Sequence, residues 1–457
     1  MIYVNTSSIK SFEITKLFNQ FDVNLPFEND VNIFLGENGM GKTTVLNCLY
    51  FVLSGKLEKL STVIFDTIKL CFVDGDCLSI THEDIVSYVD EYIDAPFHRR
   101  RYKMENIFTE KELDELRQDI NIIDMDSANF RKYVMKLSDV YGMPIRMAEN
   151  EFKHFLISYL NGNSKGHYSN VVNFKKKIEE KIKEEVLYFP TYRRIEEDIS
   201  KLGLDIEKNN VKNKLIQFGM SDVDEVINHL LNTIRSAAIT GFTQMTGILL
   251  KQYLQGDLSH EDDYKVDIEK LNIALDRIGD EIESDDKQRI KELVKTDGIY
   301  DKEKVYLLNL IKNLIKSYEK QNTYDEKVKK FVNVCNSYLN GKKYIYDESN
   351  VNLGIFRDRK NMDKNPISIQ NLSSGEKQVI SVFSKLYLEK EDKCIVLFDE
   401  PELSLSIKWQ AHFLPDIMKS NRCSTLVAVT HSPFIFDNEL DQYARDMENY
   451  MDESSRE

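Results

Sequence analysis

The chain has 457 residues, room for about two or three domains with sizeable cores. Hydrophobic residues at 42% and charged residues at 30% describe a soluble globular protein, and no run approaches the roughly 20 apolar residues of a membrane span. A formal net charge of −15 argues against a broadly basic nucleic-acid surface, while leaving room for a local basic groove or a basic partner.

Residues 1–10 lack the charged-then-apolar pattern of a secretion signal. Phe12-Glu13-Ile14 and Phe21 to Leu25 read as strands, and Val31-Asn32-Ile33-Phe34-Leu35 reads as a buried one. The next stretch is Gly36-Glu37-Asn38-Gly39-Met40-Gly41-Lys42-Thr43-Thr44, and Thr43 to Leu53 has the apolar positions of a buried helix. Strand, glycine-rich loop and helix in this order make a P-loop. Its glycines let successive backbone N–H groups converge on phosphate oxygens, and the helix N-terminus favours an anion. Residues 36–44 are therefore expected to bind the phosphates of ATP, with Lys42 reaching the β- and γ-phosphates and the Thr43 hydroxyl holding Mg²⁺.

Apolar residues alternate on both sides of Asp74-Gly75-Asp76, which predicts a hairpin over 68–81. The six cysteines are scattered without a CxxC pair. Cys48 and Cys394 lie in apolar runs, and Cys71 and Cys77 have no third and fourth ligand for zinc. A reduced, cytoplasmic protein is the simplest reading. Residues 83–185 turn helical and polar. Within them His98-Arg99-Arg100-Arg101-Tyr102-Lys103 is the densest basic cluster, either a contact for nucleic acid or an acidic partner, or a solvated loop. Val186 to Phe189 is a short strand stopped at Pro190, delivering Arg193 and Arg194 either to a ligand at the strand end or to ion pairs with Glu196, Glu197 and Asp198. Residues 200–345 read as helical. Val305 to Leu339 is either one amphipathic helix or a helix pair broken near Asn322-Thr323, and the charged stretch 280–295 is a solvent-facing helix or loop.

From residue 350 the α/β character returns. Leu372-Ser373-Ser374-Gly375-Glu376-Lys377-Gln378 opens a helical run, a start that offers N–H groups and a hydroxyl to an anion. Ile395-Val396-Leu397-Phe398-Asp399-Glu400 is an apolar strand ending in two carboxylates, a Walker B pattern. Asp399 is placed to hold Mg²⁺, and Glu400 to orient or deprotonate the attacking water. Leu426 to Thr430 is another apolar strand, ending at His431, a candidate contact for the γ-phosphate or the attacking water.

In this order GENGMGKTT, LSSGEKQ, IVLFDEPELSLS and VAVTHSP resemble an ABC-type ATPase head of the RecF/SMC/OLD-like branch, over about residues 1–80 and 350–436. The resemblance implies an α/β fold, a mixed sheet with helices. Its N-terminal half is 1–82 and its C-terminal half 350–436, with a mainly helical insertion at 83–349 that sends a strand back near 186–194, and an acidic tail at 437–457. It implies head dimers around ATP, with Ser373, Ser374 and Gly375 meeting the nucleotide on Lys42 and Thr43 of the partner subunit. Ser374 and Glu376 depart from the usual glycine and glutamine of the signature, Ser406 stands where histidine is common, and no Q-loop glutamine is evident. Slow hydrolysis is therefore expected.

Within the branch, the short N-terminal half, Leu187 to Glu196 and the compact insert resemble ATPase subunits of anti-phage systems such as PARIS and, second, Septu. That likeness implies a homo-oligomeric scaffold, with no membrane association, for a separate effector nuclease of Toprim type, since too short a stretch follows His431 for a nuclease domain. The trigger would be a phage protein, a DNA mimic among the candidates. The alternative is a DNA-repair or chromosome-maintenance ATPase that binds DNA directly.

Overall fold

The computed structural model describes residues 8–92, 128–141, 164–191, 220–255, 264–279, 282–358, 365–389 and 392–453, with residues 145, 148, 149 and 152. The fold is α/β. Strands β1 (Ile9–Leu17), β2 (Phe21–Pro26), β4 (Thr67–Phe72), β5 (Cys77–Thr81) and β12 (Met451–Glu453) form one antiparallel sheet in the order β12-β2-β1-β4-β5. Strands β3 (Val31–Leu35), β6 (Glu185–Phe189), β9 (Cys394–Asp399), β10 (Cys423–Thr430) and β11 (Ala444–Asp446) form a parallel one in the order β11-β3-β10-β9-β6. The expected mixed sheet is thus two sheets, each of one kind.

The sequence pattern explains the division. Strands covered on both faces become continuous apolar runs, and every residue of β9 is buried. Alternate residues of the parallel sheet enter different cores. Phe34, Tyr188, Leu397 and Val427 pack with the antiparallel sheet and helix α1 (Lys42–Leu53). Ile33, Phe189, Phe398 and Ala428 point the other way, into a core with helices α9 (Ser374–Tyr387) and α10 (Ile407–Met418). Phe398 stacks on Phe189 at 5.1 Å between ring centroids and meets the Phe413 edge at 5.6 Å. The Walker B strand is therefore clamped between two apolar layers.

Between the halves lie α2 (His82–Tyr92), α3 (Ala128–Tyr141), α4 (Ser164–Lys181), α5 (Met220–Gln255), α6 (Ile268–Arg277), α7 (Ser284–Lys295) and α8 (Val305–Asn336), then hairpin β7 (Lys342–Asp347) and β8 (Asn352–Arg357). The hairpin straddles the boundary expected between 349 and 350. Among the described residues no helix is long and apolar enough to cross a membrane. The basic cluster at 98–103 and Arg193 and Arg194 lie outside the described residues.

Of the two readings of Val305 to Leu339, the single helix holds: α8 is unbroken at Asn322-Thr323, its buried face continuing through polar residues as Tyr318, Gln321, Asp325 and Val328 follow at helical spacing. Its first half packs in the insertion and its second half in the core of the head, through Val328, Phe331 and Cys335. The stretch set apart as an acidic tail supplies the edge strands β11 and β12, because Leu440, Tyr443 and Met447 are buried anchors on either side of β11. Finally, Cys71 and Cys77 are joined in a disulfide, being directly opposite each other across the β4–β5 hairpin. The other four cysteines are buried free thiols.

Asp325, fully buried, pairs with Arg277 at 2.6 Å and accepts the Tyr346 hydroxyl of β7, while Arg277 also donates to the Glu348 carbonyl at 3.0 Å. Its second oxygen, Oδ2, has no hydrogen-bond partner. Removing one member of such a pair leaves the other charge buried alone. Arg277→Ala is expected to lower unfolding stability by about 3–5 kcal/mol in urea titration, and Arg277→Met with Asp325→Leu to recover most of that loss.

Candidate active site

The parallel register brings the carboxyl ends of β3, β10, β9 and β6 to one edge: Thr430 lies beside Leu35, Val429 beside Asp399, and Phe189 beside Phe398. Ligand sites of α/β sheets form at this edge. From β3 the chain turns through Gly36, whose N–H donates to the Thr430 carbonyl at 3.3 Å. Gly39 (φ 92°) and Gly41 (φ 85°) are left-handed, the conformation that glycine alone adopts freely. Gly41 is also the N-cap of α1 and offers no side chain, so the first N–H groups of the helix remain for an anion. Lys42 is only 5% exposed, and its ammonium donates to the carbonyls of Gly36 (2.7 Å) and Glu37 (2.8 Å). An ammonium has three donors, so one is left for phosphate. The Glu37 N–H meets the Met40 sulfur at 3.0 Å, a weak acceptor that a phosphate oxygen would displace.

Asp399, 1% exposed at the end of β9, accepts the Thr43 hydroxyl on Oδ1 at 3.0 Å and the Thr191 hydroxyl on Oδ2 at 2.8 Å. A hydroxyl and a carboxylate, both hard oxygen donors, suit Mg²⁺, which takes one or two protein ligands and completes its shell with water and phosphate. Among the described residues no group of three His, Cys, Asp or Glu forms an all-protein metal site. Thr191 was not among the residues that the sequence singled out. Its signal was its place just past the Pro190 strand stop, where the neighbouring arginines drew attention instead.

After Asp399 the chain reverses tightly. Glu400 (φ 49°) and Ser404 (φ 65°) are left-handed without being glycine, at a cost of about 1–2 kcal/mol each. The Glu400 N–H donates to the Val429 carbonyl at 2.9 Å, which fixes the turn against β10. Burial, and then the negative charge of Asp399, push the Glu400 carboxyl above its ordinary range. His431, one residue past β10, has Nδ1 3.0 Å from Glu402 Oε1 and 3.9 Å from Glu400 Oε1. The structure thus gathers Lys42, Thr43, Asp399, Glu400 and His431 along one edge, and it adds Glu402, the third acid of Asp399-Glu400-Pro401-Glu402.

Ser373 is the N-cap of α9 in a capping box with Glu376. Glu376 Oε2 accepts from the Ser373 N–H (2.8 Å) and hydroxyl (2.9 Å), and Lys342 from β7 donates to both Glu376 oxygens, at 3.0 and 2.7 Å. Burial pushes the Glu376 carboxyl up, but the Lys342 and Ser373 hydrogen bonds outweigh it and hold it below its ordinary range. Gly375 is required by contact: a Cβ there would sit 2.3 Å from the Ser404 carbonyl oxygen and 3.1 Å from the Trp409 ring. Ser373 is exposed, and among the described residues Ser373, Ser374 and Gly375 make no hydrogen bond to 36–44 of their own chain.

The Thr191 bond gives a direct test. Thr191→Val keeps the shape and removes the hydroxyl that orients Asp399. It is expected to lower the ATP turnover rate by about 10-fold or more and to raise the Mg²⁺ concentration needed for half-maximal rate.

A family described as the AAA ATPase domain matches residues 9–436. No curated protein sequence matches the chain. Among solved structures, the chain is similar to the Smc head domain with an extended coiled coil bound to the C-terminal domain of ScpA, from Pyrococcus furiosus. The identity is 12%, the overlap covers 94% of this chain and 90% of that one, and the TM-score is 0.31. It is also similar to the Smc head domain with a coiled coil and joint from Pyrococcus yayanosii, at 13% identity, 94% and 93% coverage and a TM-score of 0.28. With the family match spanning most of its length, the chain belongs to the AAA ATPase domain family and is an ATPase.

Proposed function

We propose that the chain is an ATP-switched sensor and scaffold subunit that assembles with copies of itself and holds a separate effector. The observation that carries this reading is the exposed Ser373 cap, which is built at the start of α9 without a hydrogen bond to its own P-loop. A helix start can offer N–H groups to an anion, and in this reading that anion is the nucleotide of a second copy. In this reading the loop amides of 36–44 and Lys42 hold the ATP phosphates, and Thr43 and Asp399 hold Mg²⁺. Mg²⁺, when bound, neutralises charge on the phosphates. Glu400 orients the attacking water and takes its proton, a role that suits a carboxyl made more basic by burial and by the charge of Asp399. His431 lies beside it as a contact for the water or the γ-phosphate. ATP is then the adhesive between heads, and hydrolysis loosens them.

The finer identity proposed is the ATPase of an anti-phage system, releasing or activating a Toprim-type nuclease when a phage protein is sensed. Its support is the sequence likeness over Leu187 to Glu196 together with the compact insertion.

Glu400→Gln is expected to accumulate an ATP-bound assembly, seen by light scattering after size exclusion, and Lys42→Ala to lose ATP binding by calorimetry. Unchanged turnover in both variants would mean that the site is misassigned. Expressed with its genomic neighbours, the protein is expected to co-purify with a nuclease. Purification alone, together with ATP-dependent and salt-sensitive binding of duplex DNA, would favour a DNA-maintenance ATPase instead.

A further inference from the structure

The turn after Asp399 buries a carboxylate that the proposed chemistry does not use. Glu402 is 5% exposed, and its Oε1 faces His431 twice: it accepts the His431 backbone N–H at 3.0 Å and lies 3.0 Å from Nδ1 of the ring. Its Oε2 is buried without a hydrogen-bond partner. Glu402 is held in place by its own backbone. Its carbonyl accepts the Leu405 N–H at 3.1 Å and the Gln410 side-chain amide at 3.4 Å, and the same amide donates to the Leu405 carbonyl at 3.1 Å. Gln410 then accepts the Ser432 hydroxyl at 2.9 Å, next in the chain to His431. The turn and the histidine loop are thus tied together from both sides.

We infer that Glu402 is a positioning residue for hydrolysis, acting through His431. The negative end of a carboxyl group 3.0 Å from Nδ1 favours the tautomer that carries its proton on that nitrogen. Glu402 therefore holds the ring with Nδ1 protonated, and the second contact, to the backbone N–H, limits rotation of the side chain. The nitrogen left over is Nε2, which makes no hydrogen bond among the described residues, on a side chain 41% exposed. In a neutral ring that atom is an acceptor, suited to the attacking water; in a charged ring it is a donor, suited to a phosphate oxygen. Glu400 at 3.9 Å is too far to set the tautomer and is left to the water. The inference rests on the proposal that His431 belongs to the ATP site.

A double-mutant cycle tests it. Glu402→Gln keeps the size and removes the charge that favours a protonated Nδ1. It is expected to lower kcat about 10-fold with the KM for ATP changed less than about twofold, and to add nothing to His431→Ala. Nitrogen-15 NMR of selectively labelled histidine in the unmodified protein is expected to show His431 protonated at Nδ1, a readout that does not depend on a variant folding. Multiplying effects in the double variant, or a ring protonated only at Nε2, would overturn the role of Glu402. A fully active His431→Ala would overturn the reading beneath it.

Discussion

One carboxylate holds the site together. Asp399 takes the hydroxyl of Thr43 on one oxygen and that of Thr191 on the other, so three segments far apart in the chain meet on a single buried group. A charge this deep costs several kcal/mol to bury unless it is hydrogen-bonded or neutralised by a cation. The two hydroxyls provide part of that compensation, and in the proposed site the same carboxylate holds Mg²⁺. Burial, and then the charge of Asp399, push the neighbouring Glu400 carboxyl above its ordinary range.

The rest of the fold serves that geometry. Aromatic rings pack behind β9, and the left-handed turn at Glu400 and Ser404 folds Glu400 and Glu402 back against the end of β10. The same turn presents the Ser404 carbonyl to Gly375, so this turn and the start of α9 are packed closely together. From there Glu376 reaches Lys342 on β7, and at the far end of the same strand Tyr346 reaches Asp325 of α8 and, through it, Arg277 of α6. Strand β7 thus carries two polar contacts, one at Lys342 toward the start of α9 and one at Tyr346 toward α8 and α6.

How much of this was legible in the sequence depended on the kind of constraint. The P-loop, Walker B and histidine strands were readable because strands buried on both faces leave unmixed apolar runs, and because the phosphate loop needs glycine at particular places. The β4–β5 hairpin was readable from Asp74-Gly75. Its two cysteines lie four residues before and two residues after that glycine, yet their pairing went unread, since it follows only once the register is known. The strands β11 and β12 are three residues each, too short to leave a period. Thr191 and Glu402 are ordinary residues whose roles arise from what the fold sets opposite them. The continuity of α8 was left open because its buried face passes through Gln321 and Asp325, which look like solvent-facing residues until Arg277 and Tyr346 are placed against them.

The central claim is that each ATP site is shared between two copies, with Lys42 from one and Ser373 from the other. Mixing two inactive proteins measures this directly. Lys42→Ala lacks a working P-loop, and Ser373→Arg lacks a working signature. A shared site predicts that each is inactive alone and that a mixture regains ATP hydrolysis, because some mixed pairs contain one intact site. A mixture that forms mixed assemblies and stays as inactive as its parts would contradict the account.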